Sequence, residues 1–133
     1  MNLLLDTCSL LWALQDADRL SATARRALQN PANTISVSVV SFWEIGLKSG
    51  LGKLALHKAS PEDIPRFVAD TGWSIHPLSP LIASSSGRLP RPTDHRDPFD
   101  RLLIWTAINE DFTLVSGDDA FPAYVAHGLR ICW

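Results

Sequence analysis

The sequence predicts an α/β fold, a three-layer α/β/α sandwich in which helices cover both faces of a central, mainly parallel sheet. Short apolar or β-branched segments alternate with helical patterns, and this alternation implies right-handed crossovers between parallel strands. The first segment, 2–5, reads NLLL, as expected for a strand buried on both faces. The 133 residues suffice for one core, so residues 1–133 are predicted to form a single domain.

The first 40 residues predict two strands and two short helices. Strand 2–5 ends at Asp6, and Ser9 is predicted to cap a helix through Leu14. Ser21 is predicted to cap a second helix that reaches about Asn30. Residues 34–39 are rich in β-branched side chains and form the second strand candidate.

A helix over about 40–49 should follow the second strand, with Gly50 at its end. Its predicted apolar face contains Val40, Trp43 and Leu47. Glu44 lies four residues after Val40 and three before Leu47, so it falls on the same face. A partly exposed glutamate at the edge of that face is the alternative interpretation.

The second half of the chain continues the alternation. Ser60-Pro61 begins a helix that should run to Thr71, with Pro65 indicating a bend or an offset start. The later predicted elements are strand 73–78, a short helix 80–86, strand 112–116, a short helix 120–126 and strand 129–132.

Segment 94–107, DHRDPFDRLLIWTA, predicts the start of the longest helix. Asp97 followed by Pro98 reads as a cap with proline in the first position, and Asp100 then takes the third position. The spacing to the following apolar residues places Asp100 on the buried face, where a carboxylate needs a partner. Arg96, Arg101 or a metal ion are the candidate partners. The alternative is a capped helix whose macrodipole Asp100 stabilises.

Composition narrows the class of protein. The formal net charge of −2 argues against nucleic-acid binding by bulk charge alone. Cys8 and Cys132 lack the spacing of metal ligands and are expected to be reduced, packed thiols. The sequence shows no signal-peptide pattern and no apolar run of about 20 residues, so a cytoplasmic protein without membrane partners is expected.

Four carboxylates are predicted to meet at one edge of the sheet. Asp6 and Asp118 follow strands, whereas Glu44 and Asp100 lie on apolar helical faces. Ligands of such sheets bind beyond the carboxyl ends of the strands. Clustered carboxylates raise one another's pKa unless cations neutralise them, and oxygen ligands suit Mg²⁺ or Mn²⁺. This chemistry favours hydrolysis of a phosphodiester or phosphoryl group.

These motifs, the strand ending in Asp6-Thr7, Trp43-Glu44-Ile45, HRDPFDRLLIWTA and LVSGDDAF, together resemble the PIN-domain nucleases. Within them, the chain is similar over essentially its whole length to the VapC-type toxins of toxin–antitoxin pairs. The resemblance implies a PIN-like sandwich and a Mg²⁺- or Mn²⁺-dependent endoribonuclease that hydrolyses RNA by metal-activated water. It also implies a VapB-type antitoxin partner and a homodimer.

The resemblance also implies site residues. The acidic quartet, catalytic and metal-binding, corresponds to Asp6, Glu44, Asp100 and Asp118. Ser116, Asp97 and Asp119 are secondary candidates: Ser116 as a hydrogen-bond partner, Asp97 as a helix cap first and an outer ligand at best, and Asp119 as a substitute for Asp118.

Several side chains around the quartet have two interpretations. Contacts with RNA phosphates are candidate roles for Arg88, Arg91, Arg96 and Arg101, and ordinary surface ion pairs are the alternative. His95 is expected to be a loop residue rather than a general base. Core or interface packing, rather than base stacking, is expected for Trp12, Trp43 and Trp105.

Two other functions remain open from the sequence. A phosphatase with Asp6 as nucleophile would need a second Asp two residues later, where this chain has Cys8. A non-catalytic binding module on the same fold would bind no divalent ion at the quartet. A nucleotide-binding Rossmann domain is disfavoured because no G-x-G-x-x-G follows the first strand.

Overall fold

The computed structural model describes residues 1–133 and confirms the predicted fold class. Five parallel strands form one sheet in the order β3-β2-β1-β4-β5. The strands are β1 (Asn2–Leu5), β2 (Thr34–Ser38), β3 (Ser74–His76), β4 (Thr113–Val115) and β5 (Arg130–Cys132). The register pairs Leu4 of β1 with Ser36 of β2 on one side and with Leu114 of β4 on the other.

Helices cover both faces of this sheet. They are α1 (Thr7–Gln15), α2 (Ala22–Gln29), α3 (Val39–Gly50), α4 (Ile64–Thr71), α5 (Pro80–Ser85) and α6 (Pro98–Asn109). Short 3₁₀ segments span Ala17–Arg19, Pro61–Asp63, Ser86–Arg88 and Phe121–His127. None of the helices is both long enough and apolar enough to cross a bilayer.

Alternation along β1 separates two apolar cores. Leu3 and Leu5 pack with α1, α2 and α4 on one face, whereas Leu4 packs with α6 and the 3₁₀ segment 121–127 on the other. All three leucines are fully buried. The NLLL segment is therefore a central strand with no solvent-facing side, as its composition predicts.

Most predicted helix starts are confirmed by their caps. Ser21 accepts a hydrogen bond from the Ala24 N–H, and Ser79 accepts one from the Ile82 N–H. Ser60 and Asp63 form a reciprocal capping box before α4. The offset start indicated by Pro65 is also present, because a 3₁₀ turn over Pro61–Asp63 precedes α4.

The predicted start of α1 at Ser9 is wrong. The helix begins at Thr7, and Asp6 is its cap, because Asp6 Oδ1 accepts a hydrogen bond from the Ser9 N–H at 2.7 Å. The strand passes into the helix without an intervening loop. Asp6 therefore directly follows β1, caps α1 and places its carboxylate at the carboxyl end of the sheet.

The predicted apolar face of α3 is also wrong in detail. Trp43 and Leu47 are exposed, with 60% and 43% of their surface accessible. The buried face instead carries Val40, Glu44 and Ile45. Apolar residues occur on both sides of this helix, so only docking against the sheet decides which side is covered.

Candidate active site

The strand order creates the site. β1 is the central strand, flanked by β2 on one side and β4 on the other. The chain first adds strands on one side of β1 and later adds strands on the opposite side, so the strand order switches direction at β1. A crevice opens at such a switch point beyond the carboxyl ends of the strands. Asp6 leaves the end of β1, and Asp118 follows β4 by three residues.

Helices α3 and α6 bring the other two carboxylates to the same place. Glu44 lies in the second turn of α3, and Asp100 is the third residue of α6. The four carboxylates line one cavity of about 130 Å³, whose walls are formed by Asp6, Thr7, Cys8, Trp12, Glu44, Asp100, Gly117 and Asp118. The chain thus brings together side chains separated by up to 112 positions in sequence.

Asp6 is almost completely buried at the base of the cavity. Burial raises the pKa of this carboxyl, and the nearby charge of Asp118 acts in the same direction. Hydrogen bonding from Ser116 and from the Ser9 backbone opposes the rise only in part. Because this carboxylate is a helix cap and is buried beside a second acid, a bound cation would stabilise its charged form.

Glu44 is held by a network from α1 and α3. It is 5% exposed, the Thr7 hydroxyl donates to its Oε1 at 2.6 Å, and Lys48 pairs with its Oε2. Lys48 also lies 3.7 Å from a carboxylate oxygen of Asp97. Partial burial by itself lowers the pKa of Lys48, but the hydrogen bond and charge of Glu44 raise it overall, so the ammonium stays charged. Lys48 therefore links the helix cap of α6 to the acidic cavity.

Asp100 has a partner that the sequence prediction missed. The expected cations do not contact it: Arg96 pairs with Asp94, and Arg101 donates elsewhere. His95 Nε2 lies 3.1 Å from Asp100 Oδ2 instead. Asp100 also does not complete a capping box. Burial, followed by the charge of Asp97, raises the pKa of Asp100 to about 7.

The secondary candidates lie around the quartet in different ways. Ser116 is buried, and its Oγ accepts from the Asp118 N–H at 3.2 Å. Asp118 Oδ1 accepts from the Ala120 N–H and so caps the following turn, whereas Asp119 is exposed and does not line the cavity. Asp97 caps α6 through the Asp100 N–H, as predicted. The structure thus favours Asp118 over Asp119 as the cavity residue.

The donor set fits a hard divalent cation by its chemistry. Four carboxylates and the Thr7 hydroxyl offer only oxygen ligands, and burial, reinforced by neighbouring carboxylates, raises the pKa of Asp6 and of Asp100. No three Asp, Glu, His or Cys side chains converge closely enough to form a ready-made ligand set. Each of the four carboxylates has at least one oxygen in an internal hydrogen bond that restricts its rotamer.

Cys8 differs from its prediction as a packed thiol. It is free, as expected, but it is exposed at the rim of the cavity. Partial burial of its sulfur, with the charges of Asp6 and Glu44, raises the pKa of the thiol to about 11. The thiol therefore stays protonated near neutral pH and is a poor nucleophile and metal ligand.

Two side chains that contact Glu44 could have been found from sequence. Lys48 follows Glu44 by four residues, the spacing of an ion pair along a helix. Thr7 directly follows Asp6, so it begins α1 beside the same crevice. Trp12, which also lines the cavity, gives no such signal, and its ring contacts the Arg19 guanidinium and the Trp133 ring.

Trp133 packs directly on the loop that carries Asp118. A Cβ added at Gly117 would lie 2.4 Å from Cε2 of the Trp133 ring. We expect Gly117→Ala to lower the free energy of unfolding by about 1 kcal/mol, because the exposed edge of Trp133 lets the ring shift. Chemical denaturation measures this loss. Gly46→Ala is the matched control, since no atom lies within 4 Å of its added Cβ; equal effects of the two changes would contradict the close packing.

The predicted core packing is observed for Trp105 but only in part for Trp43, which is 60% exposed. Trp105 packs against the α6 core, and its Nε1 donates to Ser85 Oγ at 3.0 Å. Trp43 is exposed but contacts the Phe99 ring edge-on, with ring centroids 4.9 Å apart. Neither residue lines the acidic cavity.

The four arginines of the predicted RNA-contact set differ in whether their guanidinium groups are free to bind a ligand. Arg91, Arg96 and Arg101 line an open groove of about 420 Å³ that includes Pro98, in the turn of α6 that carries Asp100. Arg101 donates to the carbonyls of Leu89 and Pro90 and to the Tyr124 hydroxyl, so its guanidinium is occupied within the fold. Exposure to solvent is retained by Arg88, Arg91 and Arg96.

The fold and the cavity define a class of protein: an α/β/α sandwich with an acidic cluster at the switch point of a parallel sheet. Residues 3–126 match the family described as PIN domain. The chain therefore belongs to the PIN domain family, as its motifs predict. The comparison with curated proteins found no match.

Solved structures share the fold over nearly the whole chain. A chain of VapBC2 from Rickettsia felis bound to a DNA fragment from their promoter is 18% identical, with a TM-score of 0.63 and coverage of 98% of this chain and 97% of that one. DNA-bound VapBC from Salmonella typhimurium is 17% identical with a TM-score of 0.64, covering 98% and 96%. VapBC-1 from nontypeable Haemophilus influenzae is 14% identical with a TM-score of 0.66, covering 98% and 96%.

Proposed function

We propose that this chain is a divalent-metal-dependent endoribonuclease and the toxin of a toxin–antitoxin pair. The observation that carries the proposal is the convergence of Asp6, Glu44, Asp100 and Asp118 on one small cavity in a PIN domain. Four carboxylates in such a space need a cation, and Mg²⁺ or Mn²⁺ prefers oxygen ligands. Carboxylate-held Mg²⁺ takes its remaining ligands from water and from substrate phosphates.

The residues have distinct roles in this proposal. Asp6, Asp100 and Asp118 hold the ion, and Glu44 binds it directly or through water. The bound ion would supply charge neutralisation at the scissile phosphate and a water of lowered pKa. Thr7 and Lys48 keep Glu44 in place by the two contacts described above. Ser116 holds the Asp118 backbone, and thereby the loop that places this carboxylate.

RNA reaches the cavity along the arginine groove in this proposal. The groove and the carboxylate of Asp100 share the first turns of α6, so phosphates bound in the groove lie beside the acidic cavity. Phosphate contacts are assigned to Arg88, Arg91 and Arg96, whose guanidinium groups are exposed to solvent. Arg101 is left out of this set because its donors are occupied by the fold.

The proposed partners follow from the structures that share the fold. Those structures are of VapBC2, VapBC and VapBC-1, and the first two are bound to DNA. We therefore propose a VapB-type antitoxin as the protein partner, a homodimer as the state of the free chain, and the cytoplasm as its location. Light scattering of the purified chain tests the dimer, which predicts twice the mass of one chain.

The first experiment is cleavage of total RNA by the purified, antitoxin-free chain. We expect fragments with Mg²⁺ or Mn²⁺ and none with EDTA, and added Mn²⁺ should restore cleavage after chelation. Failure to cleave under any metal, with the fold confirmed by circular dichroism, calls for calorimetric titration of Mn²⁺. Mn²⁺ binding would then indicate a narrow RNA target, whereas its absence would contradict the nuclease and favour a non-catalytic binding module.

A further inference from the structure

We propose that His95 is a positioning residue that fixes the rotamer of the Asp100 carboxylate, with Tyr124 and Arg101 fixing His95 in turn. This inference rests on the proposed function, in which Asp100 holds the metal ion. His95 does not line the acidic cavity, so it acts on Asp100 from behind. From the sequence, His95 is predicted only to be a loop residue, and this prediction leaves out its contact with Asp100.

A chain of three side chains leads to Asp100. Arg101 donates to the Leu89 carbonyl at 2.7 Å and to the Pro90 carbonyl and the Tyr124 hydroxyl at 3.0 Å each. The Tyr124 oxygen lies 3.0 Å from His95 Nδ1, and His95 Nε2 lies 3.1 Å from Asp100 Oδ2. Tyr124 is fully buried, and only 11% of the His95 side chain is exposed, so the network is shielded from solvent.

Hydrogen-bond accounting gives this chain one direction. A guanidinium only donates, so the Tyr124 oxygen accepts from Arg101 and its single proton is free to point toward His95. When this proton points at His95, Nδ1 is the acceptor, and the matching neutral tautomer places the N–H of the ring on Nε2. That N–H is directed at Asp100 Oδ2. At one end, this hydrogen-bond network presents an N–H donor to one carboxylate oxygen. At its other end, the network is anchored to the 89–90 loop.

The consequence concerns the second oxygen of Asp100. Only Oδ2 of this carboxylate accepts a hydrogen bond within the protein. With Oδ2 held by His95, rotation about the side-chain bonds is restricted, and Oδ1 is left available to a cation in the cavity. Side chains that orient a metal ligand in this way typically contribute ten- to a hundred-fold to metal affinity, by order of magnitude.

Packing supports the same role. The His95 ring contacts the edge of the Tyr124 ring and the tilted ring of Phe121, with centroids 5.7 and 5.9 Å away. Phe121 is fully buried. The imidazole is therefore confined on its flanks by aromatic rings and at its two nitrogens by hydrogen bonds. Such confinement limits the ring to one orientation.

Calorimetric titration of Mn²⁺ into wild type, His95→Leu and His95→Gln tests this role. Leucine keeps much of the volume without a donor, whereas the glutamine amide nitrogen can replace the Nε2 donor. We expect His95→Leu to weaken Mn²⁺ binding by about ten- to a hundred-fold and His95→Gln to recover most of that loss. His127→Leu is the matched control, because His127 is exposed and away from the cavity lining.

Tyr124→Phe provides a second, milder test if His95→Leu fails to fold. It removes only the hydroxyl that orients His95, and we expect a loss of Mn²⁺ affinity of about three- to ten-fold. Thermal unfolding in EDTA accompanies each titration. Wild-type affinity in both His95→Leu and Tyr124→Phe would overturn the inference, and so would equal weakening in His95→Leu and His95→Gln with equal loss of thermal stability. No Mn²⁺ binding by wild-type protein would overturn the proposed function and this inference with it.

Discussion

Replacement of Asp100 by Asn is expected to reduce metal-dependent RNA cleavage by about a hundred-fold or more while the fold is retained. Asparagine has nearly the same shape but lacks the charge that the proposed metal site requires. Asp6→Asn should have a similar effect, since both carboxylates line the cavity. Initial rates of fragment formation, measured at saturating Mn²⁺ and at several Mn²⁺ concentrations, give the size of each loss.

Asp119→Asn and Asp94→Asn are the matched controls for this loss. Asp119 adjoins Asp118 but is exposed outside the cavity, and Asp94 is an exposed partner of Arg96 in the segment before α6. Both variants remove one negative charge near the site and should cleave like wild type. Full activity in Asp100→Asn would remove Asp100 from the mechanism, and loss of activity in Asp119→Asn would reassign the fourth carboxylate.

Without metal, the protein is expected to be more stable at pH 5 than at pH 8, and Asp100→Asn should remove much of this difference. The pKa of Asp100 is raised from 3.8 to about 7, first by burial and then by the charge of Asp97. A carboxyl whose folded pKa is raised contributes stability below its unfolded pKa and loses it as the pH rises through its folded pKa. The loss therefore falls between about pH 4 and pH 8.

Asp100→Asn should gain about 2 kcal/mol of unfolding free energy relative to wild type at pH 8 in EDTA, a figure reduced for the partial exposure of Asp100. Near pH 4 the two proteins should be about equally stable. The groups that face Asp100 are His95, Asp97, Glu44 and Asp118, so the difference between the two curves reports this carboxyl together with its electrostatic coupling to them.

Urea denaturation of both proteins at a series of pH values measures this difference. Asp94→Asn is the matched control, because its exposed carboxylate is not expected to change the pH dependence. Added Mn²⁺ should stabilise wild type more at pH 8 than at pH 5, since carboxylates bind metal in their deprotonated form. Parallel pH curves for wild type and Asp100→Asn would contradict the raised pKa of Asp100.

The sequence predicted most helix starts and all five strands because these depend on local chemistry. Asp97 with Pro98 begins α6, and Ser60 with Asp63 begins the turn before α4, as their capping patterns require. The error at Ser9 has a local cause too. Asp6 and Ser9 are both good caps, and only the end of β1 decides that the helix starts directly after Asp6.

The acids of the candidate site were found from sequence for a related reason. Two of them follow strands, and a parallel sheet collects strand ends at one edge. Asp100 was placed correctly by the helix pattern that starts at Asp97. Glu44 was placed on a buried face although that face was assigned wrongly, because its true neighbours are Val40 and Ile45 rather than Trp43 and Leu47.

By itself, then, the sequence determined the fold class, the family and the identity of the clustered acids, since periodicity, caps and strand ends are set by neighbours along the chain. Thr7 and Lys48 lie at spacings that indicate their contact with Glu44. The contacts made by His95 and Trp133, in contrast, depend on how the elements pack, and only the tertiary structure decided them. His95 contacts Asp100 directly but is held in place by Tyr124, which lies 29 residues further on, and Trp133 contacts the Asp118 loop from the last position of the chain. Such contacts join residues that are far apart in sequence, and no local spacing encodes them.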